Sequence, residues 1–343
     1  MKRKVLVIEG DGIGKEVIPE AVKLLTLLGD FEILKGDAGL ECYRRCKEFL
    51  PRETLEKAEE SDIILFGAVT SPKGVKDYKS PILTLRKTFN LYANVRPINN
   101  FGLLRLEGYL GKNKFLDVKN VDLVIIRENT EDLYVGFERE LYDIAIADRV
   151  VSKKASERIV RFAFEYAKEN KRKRVSCIHK ANVLKVTDGL FLKTFYEVAK
   201  NYKIEADDYL VDSASYLLIK EPERFDVIVT TNMFGDILSD EASLLLGSLG
   251  LAPSANIGER KALFEPVHGS APDIAGKGIA NPMAAILCVA MIFDYIGEKE
   301  KGNLIREAIK HCIEEGKVTK DLGGSLKTHE VAEEIIKYVT NYE

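Results

Sequence analysis

The sequence predicts an α/β protein built on a largely parallel sheet covered on both faces. Strands and helices alternate from the N-terminus onward. Several strands are continuous apolar runs, as strands buried on both faces read. At 343 residues, 46% hydrophobic, the chain has material for two or three lobes with sizeable cores.

In order, Lys4–Ile8 reads as a buried strand, and Lys15–Leu28 as an amphipathic helix with Val17, Ile18, Ala21, Val22, Leu25 and Leu28 on its apolar side. Phe31–Lys35 is a second strand, followed by helices at Leu40–Phe49 and Arg52–Glu60. Asp62–Gly67 is a third strand, running into a Gly-, Ser- and Pro-rich turn through Gly74. Leu83–Leu91 is a helix that gives way to extended Asn94–Pro97, and Val121–Arg127 is another buried strand. Tyr142–Val151 is β-branched and polar enough for an exposed ribbon, a candidate pairing arm. Helices at Ser156–Asn170 and Leu190–Asn201 alternate with strands at Arg174–His179 and Asp208–Asp212. Asp226–Thr230 is a short buried strand, with Thr230, Thr231 and Asn232 as caps for the helix after it. Gly247–Gly258 and His268–Pro282 read as Gly-rich loop segments, and helices at Ala284–Ile296, Gly302–Glu315 and Val331–Tyr342 close the chain. Lobe boundaries are expected at sheet crossovers near Asn94–Pro97 and Leu246–Gly250.

The formal net charge of −3 gives no overall pull towards nucleic acid or membrane. The apolar run near the N-terminus is too short for a signal peptide, and no window is long enough for a transmembrane helix, so a cytoplasmic location is expected. The five cysteines have no zinc-site spacing and read as free thiols.

Asp236 and Asp240 sit at i and i+4, so both carboxylates project from one helix face. On a surface helix this is an ordinary acidic face. Beyond the carboxyl end of an apolar strand it also suits a hard cation, Mg²⁺ or Mn²⁺. Asp212 is a candidate third carboxylate. Arg86, Arg96 and Arg127 lie near predicted loop mouths, and guanidinium matches carboxylate bidentately, so the three together suggest a substrate with two or three carboxylates. Lys180, at the carboxyl edge of the sheet, is a candidate for proton transfer or a side chain reaching for solvent. Tyr134, in ENTEDLYVGFE, is a candidate proton donor or core residue. Gly10–Gly14 lacks the spacing of a dinucleotide fingerprint and reads as a tight strand-to-helix turn. In the loop from His268 to Pro282, small residues let a ligand approach the backbone, and Asp273 favours NAD over NADP because it would bind a ribose diol and repel a 2′-phosphate.

The motifs LRK…NVRP, RENTEDLYVG, HKAN, NMFGDILSD and HGSAPDIAGKGIANP occur in order, and with GDGIGKE and DLGG they span nearly the whole chain. On these motifs the sequence resembles the β-decarboxylating dehydrogenases that act on isopropylmalate, isocitrate, homoisocitrate and tartrate. The resemblance implies a two-lobed α/β fold without a standard Rossmann domain. One lobe comprises residues 1–96 and 247–343; the other, 97–246, carries a dimerisation arm at about 135–151. It implies a homodimer or tetramer with shared sites, so that a lone monomer is inactive. Asp236 and Asp240, with Asp212 of a neighbouring chain, would bind Mg²⁺ or Mn²⁺; Arg86, Arg96 and Arg127 would hold the malate carboxylates. Tyr134 and a partner-derived Lys180 would transfer protons. His268, Gly269, Ser270, Ala271, Pro272, Asp273, Ile274 and Asn281 would bind NAD.

Among 3-substituted malates, discrimination falls to the segment before Arg86. Ser80 stands where isocitrate-type members place a serine against the distal carboxylate, and Lys79 replaces an expected acidic residue. Both favour an acidic side arm, and the chain looks most like the archaeal homoisocitrate-type members. Ile82 and Leu83 leave room for an isopropyl group, which makes 3-isopropylmalate the second expectation and isocitrate the third. A catalytically silent regulatory subunit would have lost a catalytic residue, whereas Tyr134, Lys180, Asp212, Asp236 and Asp240 are all present.

Overall fold

In the computed structural model, which describes residues 2–72, 74–75, 78–101 and 121–342, the alternating pattern resolves into two units, residues 1–89 with 248–343 and residues 90–247. The chain enters the first unit through β1 (Arg3–Gly10), α1 (Gly14–Leu28), β2 (Phe31–Gly36), α2 (Leu40–Cys46), α3 (Arg52–Glu60), β3 (Ile63–Ala68) and α4 (Pro81–Thr88). The second unit contains β4 (Ala93–Asn99), β5 (Asp122–Glu128), β6 (Glu138–Leu141), β7 (Ile144–Ala147), α5 (Lys153–Glu169) and β8 (Arg174–His179). It continues with α6 (Thr187–Ala199), β9 (Glu205–Leu210), α7 (Val211–Lys220), β10 (Val227–Thr230) and α8 (Asn232–Ser243). The chain then completes the first unit with β11 (Pro253–Ile257), β12 (Ala262–Pro266), α9 (Met283–Tyr295), α10 (Lys299–Glu314) and α11 (Thr328–Tyr342).

In the first unit the strand order is β2-β1-β3-β12-β11, parallel except for β11 against β12. All six residues of β3 are buried, which its unbroken apolar run requires. Helix α9 packs against α1, α10, β11 and β12, so Met283–Ala290 is buried all round rather than along one stripe. Each large apolar side chain so enclosed contributes about 1.5–3 kcal/mol relative to exposure.

In the second unit the order is β4-β5-β10-β8-β9, parallel except for β4 against β5. The helix α5 carries a clear apolar stripe (Ala155, Ile159, Val160, Ala163, Phe164, Ala167) and is capped by Ser152, whose hydroxyl accepts the Ala155 N–H at 3.1 Å.

Several expectations shift. The ribbon is an exposed hairpin of β6 and β7, so it lies a few residues earlier than Tyr142–Val151. The segment Gly247–Gly258 contains a strand, because pairing with β12 overrides the loop-like composition Pro-Ser-Ala-Asn. Asp212 does not end a strand: β9 stops at Leu210, and Asp212 lies in the first turn of α7. Thr231 stands at the cap position of α8 without a capping hydrogen bond; Asp132, distant in sequence, accepts the Met233 N–H at 3.0 Å. Strand β4 belongs wholly to the second unit, so that unit begins before Arg96–Pro97. The expected turn through Gly74 lies partly outside the described residues.

All five cysteines are free, and burial with the Cys46 contact pushes the Cys42 thiol up to about 12. Among the described residues no helix is long and apolar enough to cross a membrane.

Candidate active site

The parallel strands β5, β10, β8 and β9 deliver their carboxyl ends to one edge of the second unit, where open α/β sheets place ligands. Arg127, near the end of β5, is 1% exposed, and its Nε and Nη2 donate to Asn232 Oδ1 at 2.9 and 2.7 Å. Its remaining arm donates to Asp236, and its guanidinium stacks over the Tyr134 ring, 5.0 Å from the centroid. This packing requires Gly235: a Cβ there would stand 2.6 Å from Arg127 Cβ and Cγ. The glycine inside NMFGDILSD thus lets a buried arginine lie flat against the helix that carries its acidic partner.

Arg96, 7% exposed on β4, closes the same cluster. It donates to Asn94 Oδ1 at 3.0 Å, Ser239 Oγ at 2.7 Å and Asp240 Oδ1 at 3.0 Å, with Asp236 at 3.6 Å. Tyr134 completes the cluster by donating its hydroxyl to Asp236. Burial, and then this carboxylate, raise the Tyr134 pKa above its ordinary value. The phenol therefore remains protonated at neutral pH, as a proton donor must.

Lys180 follows β8 and pairs with Asp212, whose carboxyl the ammonium holds below the ordinary carboxylate range. Before it, His179 is buried; its Nδ1 accepts the Ala181 N–H at 3.0 Å, so Nε2 carries the hydrogen donated to Asp208, 2.9 Å away. The edge therefore holds two separate groups, Tyr134 with Asp236, Asp240 and two arginines, and Lys180 with Asp212. Among the described residues no three His, Cys, Asp or Glu side chains come together in a group that could hold a metal.

The donor set fits a divalent cation in part. Asp236 and Asp240 offer only hard oxygen, and their charge is met by Arg96 and Arg127. Both carboxylates keep solvent access, at 35% and 69% side-chain exposure. They suit Mg²⁺ or Mn²⁺ and leave coordination positions to be filled from elsewhere.

In the first unit, Arg86 on α4 donates Nη2 to Glu265 Oε1 at 2.7 Å, while its buried Nε has no partner. Glu265 is braced by Asn256 Nδ2 at 2.9 Å. An orphaned guanidinium donor is costly, and a carboxylate ligand would satisfy it. Ser80 is half-buried at the cap position of α4 and makes no side-chain capping hydrogen bond, while Lys79 is exposed.

The loop from His268 to Asn281 is held from outside. Glu16 on α1 accepts the N–H groups of Gly276 and Gly278, the latter at 2.9 Å. The Ile13 N–H donates to Ser270 O at 3.0 Å, and Gly12, at φ +56°, approaches so closely that a Cβ would meet that oxygen at 2.0 Å. Asn281 donates to Asp321 Oδ2 at 3.0 Å. The GDGIGKE turn therefore buttresses this loop, which explains its glycines without a phosphate. His268 is neutral because burial lowers its pKa; Nδ1 donates to Gly269 O, leaving Nε2 an unpartnered acceptor. Gly269, Pro272 and Asp273 are exposed, and Ala271 and Ile274 half-buried, so the loop presents a largely open surface.

Residues 4–335 match the isocitrate/isopropylmalate dehydrogenase family. The chain belongs to that family. It is 71% identical to homoisocitrate dehydrogenase from Methanocaldococcus jannaschii, over 98% of this chain and 97% of the relative. It is 48% identical to the 3-isopropylmalate/3-methylmalate dehydrogenase of the same organism, over 98% of each. The crystal structure of isocitrate dehydrogenase from Methylococcus capsulatus superposes with a TM-score of 0.91 at 44% identity, covering 98% of this chain and 99% of that one. This isocitrate/isopropylmalate dehydrogenase-type chain is thus an oxidoreductase of the decarboxylating class.

Sequence reasoning named Asp236, Asp240, Arg96, Arg127 and Tyr134, and the structure brings these five together. It gave Asn232 only a capping role and missed Ser239, although both orient the arginines, and it missed Glu16, Glu265 and Asp321, which hold Arg86 or the loop. Asn232 and Ser239 lie inside NMFGDILSD, on the same helix as Asp236 and Asp240, and that proximity was the available signal.

Proposed function

We propose that this protein catalyses the NAD-dependent oxidative decarboxylation of homoisocitrate to 2-oxoadipate and carbon dioxide. The observation that carries the reading is the 71% identity to a homoisocitrate dehydrogenase along nearly the whole chain. Arg86, Arg96 and Arg127 bind the carboxylates of the malate core bidentately. Asp236 and Asp240, together with Asp212 of a second subunit, would hold a divalent cation, which would supply Lewis acidity at the C2 oxygen.

Lys180, reaching the same substrate from the second subunit, would accept the C2 hydroxyl proton as the neutral amine, once its ammonium has released a proton to solvent; bound NAD would supply the hydride acceptor for C2. The resulting 2-keto acid loses the carboxylate on C3 as carbon dioxide, and the bonding electrons pass into an enolate. Tyr134, protonated at neutral pH, donates its proton to C3. In this reading Asp236 aims the phenol before substrate arrives.

The loop at His268–Asn281 would take the adenosine half of NAD. Exposed Asp273 would accept hydrogen bonds from the ribose diol and disfavour a 2′-phosphate. Glu16→Ala removes the acceptor for two loop N–H groups. Its expected effect is a rise of roughly tenfold in KM for NAD with KM for homoisocitrate unchanged, since a hydrogen bond to a charged group is worth about 1.5–3 kcal/mol. Initial-rate kinetics check it.

Lys79 and Ser80 favour an acidic side arm. A specific observation keeps 3-isopropylmalate as second reading: Leu83 on α4 is 46% exposed, an apolar side chain open to an isopropyl group. NADH formation from homoisocitrate, 3-isopropylmalate and isocitrate at matched concentration with Mg²⁺ decides between them. Homoisocitrate with NAD is expected to give the highest kcat/KM. Preference for 3-isopropylmalate sinks the substrate assignment, and preference for NADP sinks the role of Asp273.

A further inference from the structure

Arg149 lies between the exposed hairpin and α5, yet its side chain is only 11% exposed. Its guanidinium is shared by two carboxylates that are themselves buried, Asp132 at 1% and Asp188 at 0% exposure. Nε and Nη2 donate to the two oxygens of Asp132 at 2.6 and 3.3 Å, and Nη1 donates to Asp188 Oδ1 at 2.5 Å. Nη2 also donates to Thr231 Oγ1 at 2.8 Å, and the guanidinium stands 4.8 Å from the Phe234 ring centroid.

Besides a 3.5 Å hydrogen bond from Thr187 Oγ1 to Asp188, the two carboxylates accept backbone N–H groups at or next to residues of the candidate site. Asp188 Oδ2 accepts the N–H of Lys180 itself, at 2.6 Å. Asp132 Oδ1 accepts the Leu133 N–H at 3.0 Å, opening the short 3-10 turn Leu133–Val135 that carries Tyr134. Asp132 Oδ2 accepts the Met233 N–H at 3.0 Å, fixing the start of α8 ahead of Asp236. Asp132 adopts φ +69°, a conformation that L-residues hold only when their surroundings enforce it.

We propose that Arg149 is a positioning residue that fixes Tyr134 and the start of α8 for one active site, and the backbone of Lys180 for the neighbouring subunit's site, without touching substrate. The inference rests on the proton-transfer roles assigned above to Tyr134 and Lys180. Two buried carboxylates placed together would repel, and one cation with a planar fork satisfies both in fixed geometry. A lysine has a single ammonium and cannot reproduce the three-way bracing. Small displacements of catalytic groups lower turnover while leaving substrate contacts in place.

Steady-state kinetics and thermal melting of Arg149→Lys and Arg149→Ala in the full-length protein test this, with Tyr134→Phe and Lys180→Met in parallel. Arg149→Lys is expected to lower kcat by roughly 10²-fold with KM for substrate and NAD changed by less than about threefold. Millimolar guanidinium is expected to restore part of the kcat of Arg149→Ala and to leave the wild type unchanged. A wild-type kcat in Arg149→Lys overturns the proposal. So does a melting temperature that falls in step with kcat, without guanidinium rescue, since that pattern describes a stabilising residue only. Should Arg149→Ala fail to fold, the lysine variant decides by its kcat-against-KM split. Full activity in Tyr134→Phe or Lys180→Met would instead sink the assigned roles on which the inference stands.

Discussion

Tyr134→Phe is expected to lower the rate of final-product formation by roughly 10²–10⁴-fold, the range for a lost general acid, while NADH formation in the first turnover persists. The two oxidation states of the reaction separate cleanly here. In the proposed mechanism, hydride transfer needs the substrate bound by the arginines and a base for the C2 hydroxyl, and neither is the phenol. There the phenol is needed only after carbon dioxide has left, when the enolate must gain a proton at C3. The variant should therefore release or accumulate the 2-keto tricarboxylate, which can be trapped with borodeuteride, whose deuterium at C2 distinguishes the reduced intermediate from substrate by mass spectrometry. The phenylalanine ring still stacks beneath Arg127, so the arginine cluster is retained. Removing the hydroxyl does leave Asp236 with one donor fewer, so the metal dependence should be measured alongside. Unimpaired turnover to the 2-oxo acid would remove Tyr134 from the mechanism.

Mixing two inactive variants should recover activity. The Lys180→Met and Tyr134→Phe variants are each expected to lose roughly 10²–10⁴-fold in turnover. The side chains concerned lie in separate groups of one chain, Lys180 with Asp212 and Tyr134 with Asp236. If each active site takes its Tyr134 group from one subunit and its Lys180 group from the other, a mixed dimer holds one intact site. After unfolding and corefolding at equal amounts, half the dimers are mixed, and about a quarter of wild-type activity should return. Sites complete within a single chain would give no recovery. The hairpin of β6 and β7 offers a surface for such pairing: Leu141, Tyr142 and Ile144 are at least half exposed, at 50%, 102% and 58%, on a ribbon with little core of its own.

Much of this was legible from residue order alone. Continuous apolar runs placed strands at Asp226–Thr230 and Val121–Arg127, within one residue of the observed Val227–Thr230 and Asp122–Glu128, because a strand buried on both faces has no polar alternation to confuse it. Helical spacing put Asp236 and Asp240 on one face whatever the surroundings. Elements failed where tertiary pairing, rather than local preference, makes the structure. Pro253–Ile257 is a strand only because Ala262–Pro266 lies antiparallel beside it. Asp212 was tied to the wrong element because the residue sequence around Leu210 marks no boundary between β9 and α7.

The sequence by itself determined the fold class and the family motifs, and it named the candidate side chains: apolar periodicity and short-range spacing are written locally, and each can be read within a few turns of chain. Only the tertiary structure decided what those side chains answer to. Arg127 lies flat because Gly235 faces it. The GDGIGKE turn proved a buttress for a loop some 260 residues later. A carboxylate at position 132 caps the helix that begins near 232, and Arg149 ties that carboxylate to the backbone of Lys180. Such pairings depend on which distant segments the sheet brings side by side, and their energy comes from burying charge only where an opposite charge meets it.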